Sequence, residues 1–128
     1  MSKILVVDDE SDIKLLFELR FRKEIKAGEM NFSFAFSGEE ALEFIKNQKQ
    51  EAVLILSDIN MPGMNGFELL RLIKQGNYQP PPVVMMITAY GDNENYNRAM
   101  QLGADDFLTK PVDFDSLKEK LMDKLSNH

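Results

Sequence analysis

The sequence predicts an open α/β fold, a five-stranded parallel sheet in the order 2-1-3-4-5 with helices on both faces. Three observations carry this. The runs Ile4-Leu5-Val6-Val7, Val53-Leu54-Ile55-Leu56 and Val83-Val84-Met85-Met86-Ile87 are short, apolar and unbroken, as strands buried on both faces are. Stretches with helical spacing of apolar residues, several opened by a capping residue, stand between them. The alternation is strictly β then α, five times over, which calls for parallel strands joined by right-handed crossovers. Five strands suit that order, whose switch point falls between strands one and three.

Each element has its own warrant. Strand one, Ile4 to Val7, is cut off by Asp8-Asp9-Glu10. Ile13, Leu16, Phe17 and Phe21, with Leu15 and Leu19 beside them, then recur at helical spacing, so one helix is expected to about Ala27, stopped by Gly28. Phe32, Phe34 and Phe36 alternate with Ser33 and Ala35 as a period-two strand, and Ser37 with Glu40 forms a capping box for a helix through Ala41, Leu42 and Ile45. The third strand, from Val53, runs into the loop Ser57-Asp58-Ile59-Asn60-Met61-Pro62-Gly63-Met64-Asn65-Gly66. Asn65 and Glu68 cap the next helix, which carries Leu69, Leu72 and Ile73 before Gly76 ends it. Pro80-Pro81-Pro82 is a stiff, extended lead-in to the fourth strand, which closes on Thr88. The fourth helix, about residues 92–102, offers only Tyr96, Ala99 and Met100 as an apolar stripe and holds Asn93, Asn95 and Asn97, so it is expected to be the least rigid. After Gly103 come a short strand, Asp106 to Thr109, then Lys110-Pro111, and a last helix capped by Asp113 with Phe114, Leu117, Leu121 and Leu125 on one face.

Composition narrows the function. The 128 residues suit a single domain, 1–128. A formal charge of -6 argues against nucleic-acid binding by the domain itself. With no cysteine there is neither a disulfide framework nor a thiolate metal site, which fits a reducing compartment. No apolar run approaches membrane-spanning length, and no signal-type segment opens the chain; a cytoplasmic protein without membrane contact is expected.

The predicted strand order brings Asp8, Asp9 and Asp58 to one rim, because neighbouring strands lie only about 4.8 Å apart. Three carboxylates about 4 Å from one another repel by roughly 4 kcal/mol per pair at an effective dielectric near 20. A hard divalent cation resolves this. Magnesium prefers oxygen ligands and keeps several waters, which matches Asp9 and Asp58 with a loop carbonyl near Asn60, Asp8 acting through water. Strand four adds a hydroxyl, Thr88, and strand five an ammonium, Lys110. A cation, a hydroxyl and a lysine around an aspartate make a place to hold a phosphoryl group on that aspartate, since such transfer needs mainly positioning and charge neutralisation. The single histidine, His128, is terminal. Each residue has an ordinary reading alone: the acids as partners of a helix dipole, Thr88 as a strand residue, Lys110 as a surface lysine. Their conjunction at the ends of strands one, three, four and five is what points to chemistry.

These residues resemble the receiver domains of two-component response regulators, chemotaxis-regulator-like proteins of flavodoxin-like (βα)5 fold. The likeness spans essentially the whole chain. It rests on Asp8-Asp9-Glu10, on Ser37-Gly38-Glu39-Glu40-Ala41-Leu42, on Asp58 to Gly66, on Thr88-Ala89 and on Gly103 to Pro111. The resemblance implies that Asp58 accepts phosphate from a histidine kinase or a histidine phosphotransfer protein. Asp9, Asp58 and the Asn60 carbonyl would bind Mg2+, with Asp8 helping through water and Mn2+ able to substitute. Lys110 and Thr88 would hold phosphoryl oxygens, and the Lys110–Pro111 bond would be cis. It further implies a switch in which Thr88 moves toward the phosphoryl group and Phe107 turns inward. Phe107 lacks the hydroxyl of the tyrosine often found there, so a population shift is expected rather than a hydrogen-bonded flip. The resemblance also implies a tuning role in dephosphorylation for Asn60 and Tyr90, which stand two residues after Asp58 and Thr88. The output would pass through the fourth helix, fifth strand and fifth helix to a downstream protein or fused effector, with a phosphorylation-dependent homodimer as a further arrangement. Turnover on other substrates is not expected, because a phosphatase of the haloacid-dehalogenase type needs a second aspartate where Asn60 stands. A flavodoxin would need a hydroxyl- and glycine-rich loop where this chain has acids. A stand-alone regulator, a phosphorelay shuttle and a piece of a longer protein all fit the length.

Overall fold

A computed structural model describes residues 3–47 and 53–126; His128 lies outside them. The elements run β1 (Lys3–Val7), α1 (Asp12–Arg20), α2 (Arg22–Lys26), β2 (Phe32–Ala35), α3 (Gly38–Lys46), β3 (Val53–Asp58), α4 (Gly66–Gln75), β4 (Val83–Thr88), α5 (Asn93–Gln101), β5 (Asp106–Thr109) and α6 (Phe114–Ser126). The sheet has the expected order β2-β1-β3-β4-β5, with every pairing parallel.

Alternate residues of each central strand feed two cores. Leu5, Val7, Ile55, Val84 and Met86 face Ala41, Ile45, Leu69, Leu70, Ile73 and Ala99, so α3, α4 and α5 cover one side. Ile4, Val6, Leu54, Leu56, Met85 and Ile87 face Phe17, Phe21, Leu117 and Leu121 on α1, its C-terminal boundary and α6. An aromatic cluster anchors the second side, with Phe17 edge-on to Phe32 at 5.7 Å and to Phe114 at 5.5 Å.

The first helix differs from expectation. It is divided at Phe21 (φ −109°, ψ 23°) into α1 and α2. The hydrogen bonds from Phe21 N–H to the Phe17 carbonyl and from Ile25 N–H to the Phe21 carbonyl persist, at 3.0 and 2.9 Å, so this is a bend and not a stop. No proline or glycine lies there, and the cause is tertiary. Phe21 is held in the aromatic cluster, stacked on Phe32 at 5.4 Å. Glu24 is drawn under the helix to Lys118 of α6, 2.7 Å away. The stripe of α1 is also narrower than its spacing suggests: Phe17 is buried, whereas Leu15, Leu16 and Leu19 are exposed. Gly28 ends the segment with φ +75°.

The other caps form as the spacing requires. Ser37 Oγ accepts from Glu40 N–H, Asn65 Oδ1 from Glu68 N–H, Asp92 Oδ1 from Asn95 N–H, and Asp113 Oδ1 from Asp115 and Ser116 N–H. The α5 helix buries only Ala99, leaving Tyr96 and Met100 exposed.

Candidate functional site

Register places the site. Val7 pairs with Ser57, so Asp8, one residue on, comes level with Asp58 at the end of β3. Asp58 pairs with Ile87 and Thr88 with Thr109, which brings Thr88 and Lys110 to the same rim. Strand β2 lies at the edge beyond β1 and ends in the α3 cap, contributing nothing to the cluster.

The turn after β3 is packed against its own helix. Gly66, the first residue of α4, donates its N–H to the Ile59 carbonyl at 2.8 Å. A Cβ there would lie 2.4 Å from the Asp58 carbonyl oxygen and 2.7 Å from the Ile59 Cα. Ile59 N–H donates to Ile87, and the buried Ser57 hydroxyl donates to the Asp58 carbonyl at 2.9 Å. These contacts fix the backbone beneath the Asp58 side chain. The requirement at Gly66 is readable only as a glycine at a helix start; nothing in the spacing signals the part played by Ser57.

Asp8 and Asp58 are buried, and Asp9 is exposed beside them. Each offers an oxygen, and the three oxygens lie within 4.8 Å of one another. An all-oxygen, anionic donor set with one member open to water fits a hard divalent cation that retains part of its hydration. Lys110 Nζ sits 3.3 Å from Asp58 Oδ2 and 3.4 Å from Asp8 Oδ2, bridging the two buried acids. The other oxygen of Asp8 accepts the N–H of Glu10, and that of Asp58 accepts the N–H of Asn60 at 3.4 Å. The Lys110–Pro111 peptide is cis.

Proton affinities follow from this packing. Burial, reinforced by the charge of Asp8, pushes Asp58 above the usual carboxylate range even though Lys110 pulls the other way. Burial acts to depress Lys110, but Asp58 and Asp8 together outweigh it and hold the ammonium above its ordinary value. The lysine therefore stays cationic, and its field is directed at two acids on different strands.

Thr88 is fully buried. Its hydroxyl oxygen accepts the N–H of Tyr90 at 3.0 Å and the side-chain amide of Asn60 at 3.3 Å. Tyr90 is 64% exposed. Phe107, half-buried on β5, meets Tyr96 of α5 edge-on at 5.5 Å. The structure thus gathers Asp8, Asp9, Asp58 and Lys110 into one cluster, ties Asn60 and Tyr90 to Thr88, and sets Phe107 apart against α5. The side-chain contact between Asn60 and Thr88 was not visible in the sequence. An apolar cavity of about 270 Å³ opens beside the cluster, lined by Ile13, Leu16, Phe17 and Val112 with Asp58 and Lys110 at its edge.

The comparisons agree with this geometry. The family model described as response regulator receiver domain matches residues 4–122. The chain is 38% identical over 117 residues to the response regulator protein PilR of Pseudomonas aeruginosa, covering 91% of this chain and 24% of that protein. It is 33% identical to the sporulation initiation phosphotransferase F of Bacillus subtilis, covering 91% of this chain and 88% of that protein. It spans less than half of the response regulator RppA of Synechocystis, 44% of its length. Among solved structures, a CheY-like receiver domain protein from Methanospirillum hungatei superposes with a TM-score of 0.83 at 30% identity, covering 99% of this chain and 95% of that one. TrrA of Thermotoga maritima, solved in complex with Mg(2+)-BeF, gives 0.73 at 32% identity, covering 94% and 96%.

Proposed function

The chain belongs to the response regulator receiver domain family, and from that premise we propose that it is a phosphoacceptor switch of a two-component system, with Asp58 as the acceptor. The observation that carries this is Lys110 bridging Asp8 and Asp58 at 3.4 and 3.3 Å, with Asp9 completing the acidic cluster.

The donor is the phosphohistidine of a sensor kinase or phosphotransfer protein. A carboxylate oxygen of Asp58 attacks phosphorus, a P–O bond forms as the P–N bond breaks, and the imidazole nitrogen leaves with the electron pair. Asp9, Asp58 and the Asn60 backbone carbonyl would hold magnesium, or manganese in its place, with Asp8 acting through a bound water; the cation supplies charge neutralisation at the phosphoryl oxygens. Lys110 exchanges its contacts with Asp8 and Asp58 for a phosphoryl oxygen. Thr88 donates its hydroxyl to another, which requires it to move toward the acceptor. Phe107 then turns into the space Thr88 leaves, and its contact with Tyr96 carries the change to α5.

Signal leaves through α5, β5 and α6, to a downstream protein, a fused effector or a second phosphorylated copy. The weak apolar stripe of α5 suits a surface that repacks. The phosphoryl group is lost by self-hydrolysis or to a phosphatase, with Asn60 and Tyr90 controlling access of water. The domain assists its own phosphorylation and dephosphorylation without turning over other substrates, and it acts in the cytoplasm. No helix among the described residues is long and apolar enough to cross a membrane.

Acetyl phosphate with magnesium should add one phosphoryl group by intact mass, and Asp58→Asn should abolish it. Retention of the label in that variant would place the acceptor elsewhere. Tyr90→Ala should shorten the lifetime of the phosphoryl group; an unchanged hydrolysis rate removes Tyr90 from the tuning role.

A further inference from the structure

The Thr88 hydroxyl stands at the meeting point of two hydrogen bonds. Tyr90 N–H approaches at 3.0 Å, and its sense is fixed because a backbone N–H can only donate. The Asn60 amide approaches at 3.3 Å from the loop that carries the acceptor. With both donors in place, the two lone pairs of the oxygen are occupied and its single proton remains for donation. Thr88 is fully buried, so it exchanges neither bond for water without moving.

We propose that the Asn60 side chain is a positioning residue that holds Thr88 in its resting place and so opposes the phosphorylated conformation. The inference rests on the phosphoacceptor reading and deepens it. On this reading, the approach of Thr88 to phosphoryl oxygens on Asp58 lengthens or breaks the 3.3 Å bond to the Asn60 amide. Asn60 lies two residues from Asp58 in sequence and joins the acceptor loop to β4 through a contact 28 residues long-range. The resting state therefore keeps a bond that the phosphorylated state gives up, and the equilibrium constant for the switch contains the worth of that bond. The amide does this separately from the backbone of the same residue, whose N–H donates to Asp58 and whose carbonyl is the proposed cation ligand. Asn60→Ala deletes the first and leaves both of the others, at an exposed position where the substitution is compatible with folding.

The test is a double-mutant cycle on the affinity for beryllium fluoride with magnesium, a phosphoryl mimic, read by titration calorimetry in the wild type, Asn60→Ala, Thr88→Val and the double variant. Loss of one neutral hydrogen bond from the resting state should tighten binding about fivefold in Asn60→Ala. In the Thr88→Val background the same substitution should change affinity little, because the bond is already gone. As an independent readout, the Thr88 methyl resonance of the free protein should move toward its beryllium fluoride-bound position in Asn60→Ala. Unchanged or weaker binding in Asn60→Ala, equal tightening with and without the Thr88 hydroxyl, or a Thr88 methyl that does not move, would each overturn the proposal. Failure of the wild type itself to bind the mimic is a separate result and would overturn the phosphoacceptor reading beneath it.

Discussion

The substitution Asp58→Asn, which should abolish phosphoryl acceptance, should also stabilise the metal-free fold. Three large terms act on the Asp58 carboxylate, beside the weaker hydrogen bond from Asn60 N–H. Its burial costs several kcal/mol after relaxation. Asp8, with an oxygen no more than 4.8 Å away, repels it by at least about 3.5 kcal/mol at an effective dielectric near 20. Lys110, at 3.3 Å, attracts it by about 5 kcal/mol on the same scale. Burial and Asp8 together prevail, as the raised proton affinity of Asp58 shows. The neutral isostere loses all three terms, and their remainder is on the order of 2 kcal/mol in favour of the variant. With an unfolding entropy of about 2.1 cal/mol/K per residue over 128 residues, that is a rise of about 7 °C in Tm. The sign also fixes the pH dependence. An acid whose folded-state pKa is raised leaves stability untouched below its ordinary value of 3.8, and lowers it as pH climbs from there through the folded-state value. The advantage of Asp58→Asn should therefore be full at pH 7 and nearly gone at about pH 3. Thermal melts followed by circular dichroism in a chelator, at both pH values, measure this directly. Added magnesium should raise the Tm of the wild type more than that of the variant. A variant no more stable than the wild type at pH 7, or an advantage undiminished in acid, would refute the electrostatic account of the site.

Three further outcomes follow from the contacts. Gly66→Ala drives a Cβ to 2.4 Å from the Asp58 carbonyl oxygen; it should cost about 1–3 kcal/mol by denaturant titration and slow labelling by acetyl phosphate. Glu24, held below its ordinary 4.5 first by the hydrogen bond from Lys118, contributes stability above that value and loses it as pH falls through the depressed one. The stability gap between wild type and Lys118→Met should accordingly be open at pH 7 and close on acidification, as urea titrations across pH would show. Asn95→Ala removes the 2.9 Å bond from the Asn95 side-chain amide to the Tyr90 carbonyl but keeps the backbone cap to Asp92; hydrogen exchange over residues 89–97 should quicken several-fold, with α6 unaffected.

What could be read in advance depended on how far each interaction reaches along the chain. The three central strands announce themselves because burial on both faces demands an unbroken apolar run, and the Ser37 and Asn65 caps because donor and acceptor lie three residues apart. Strict alternation then limits the topology so narrowly that Asp8, Asp58, Thr88 and Lys110 could be assigned to one rim before any distance was known. The bend at Phe21 has no such local cause. Its determinants are Phe32 on β2 and Lys118 on α6, and a periodicity argument that sees only the helix must extend it straight to Ala27. The same limit explains why Leu15 and Leu19 looked like flanks of a buried stripe: the aromatic cluster around Phe17 fills that side, leaving the leucines exposed. Asn95 has a part that propensity does not show. By propensity it weakens α5, whereas in the fold its side chain holds the Tyr90 carbonyl while Tyr90 N–H holds the Thr88 hydroxyl. The polarity that makes this helix poor by composition therefore joins it, through two hydrogen bonds, to the strand end beside the acceptor. A more apolar stripe at these positions would bind α5 more firmly to the sheet while cutting it off from Thr88.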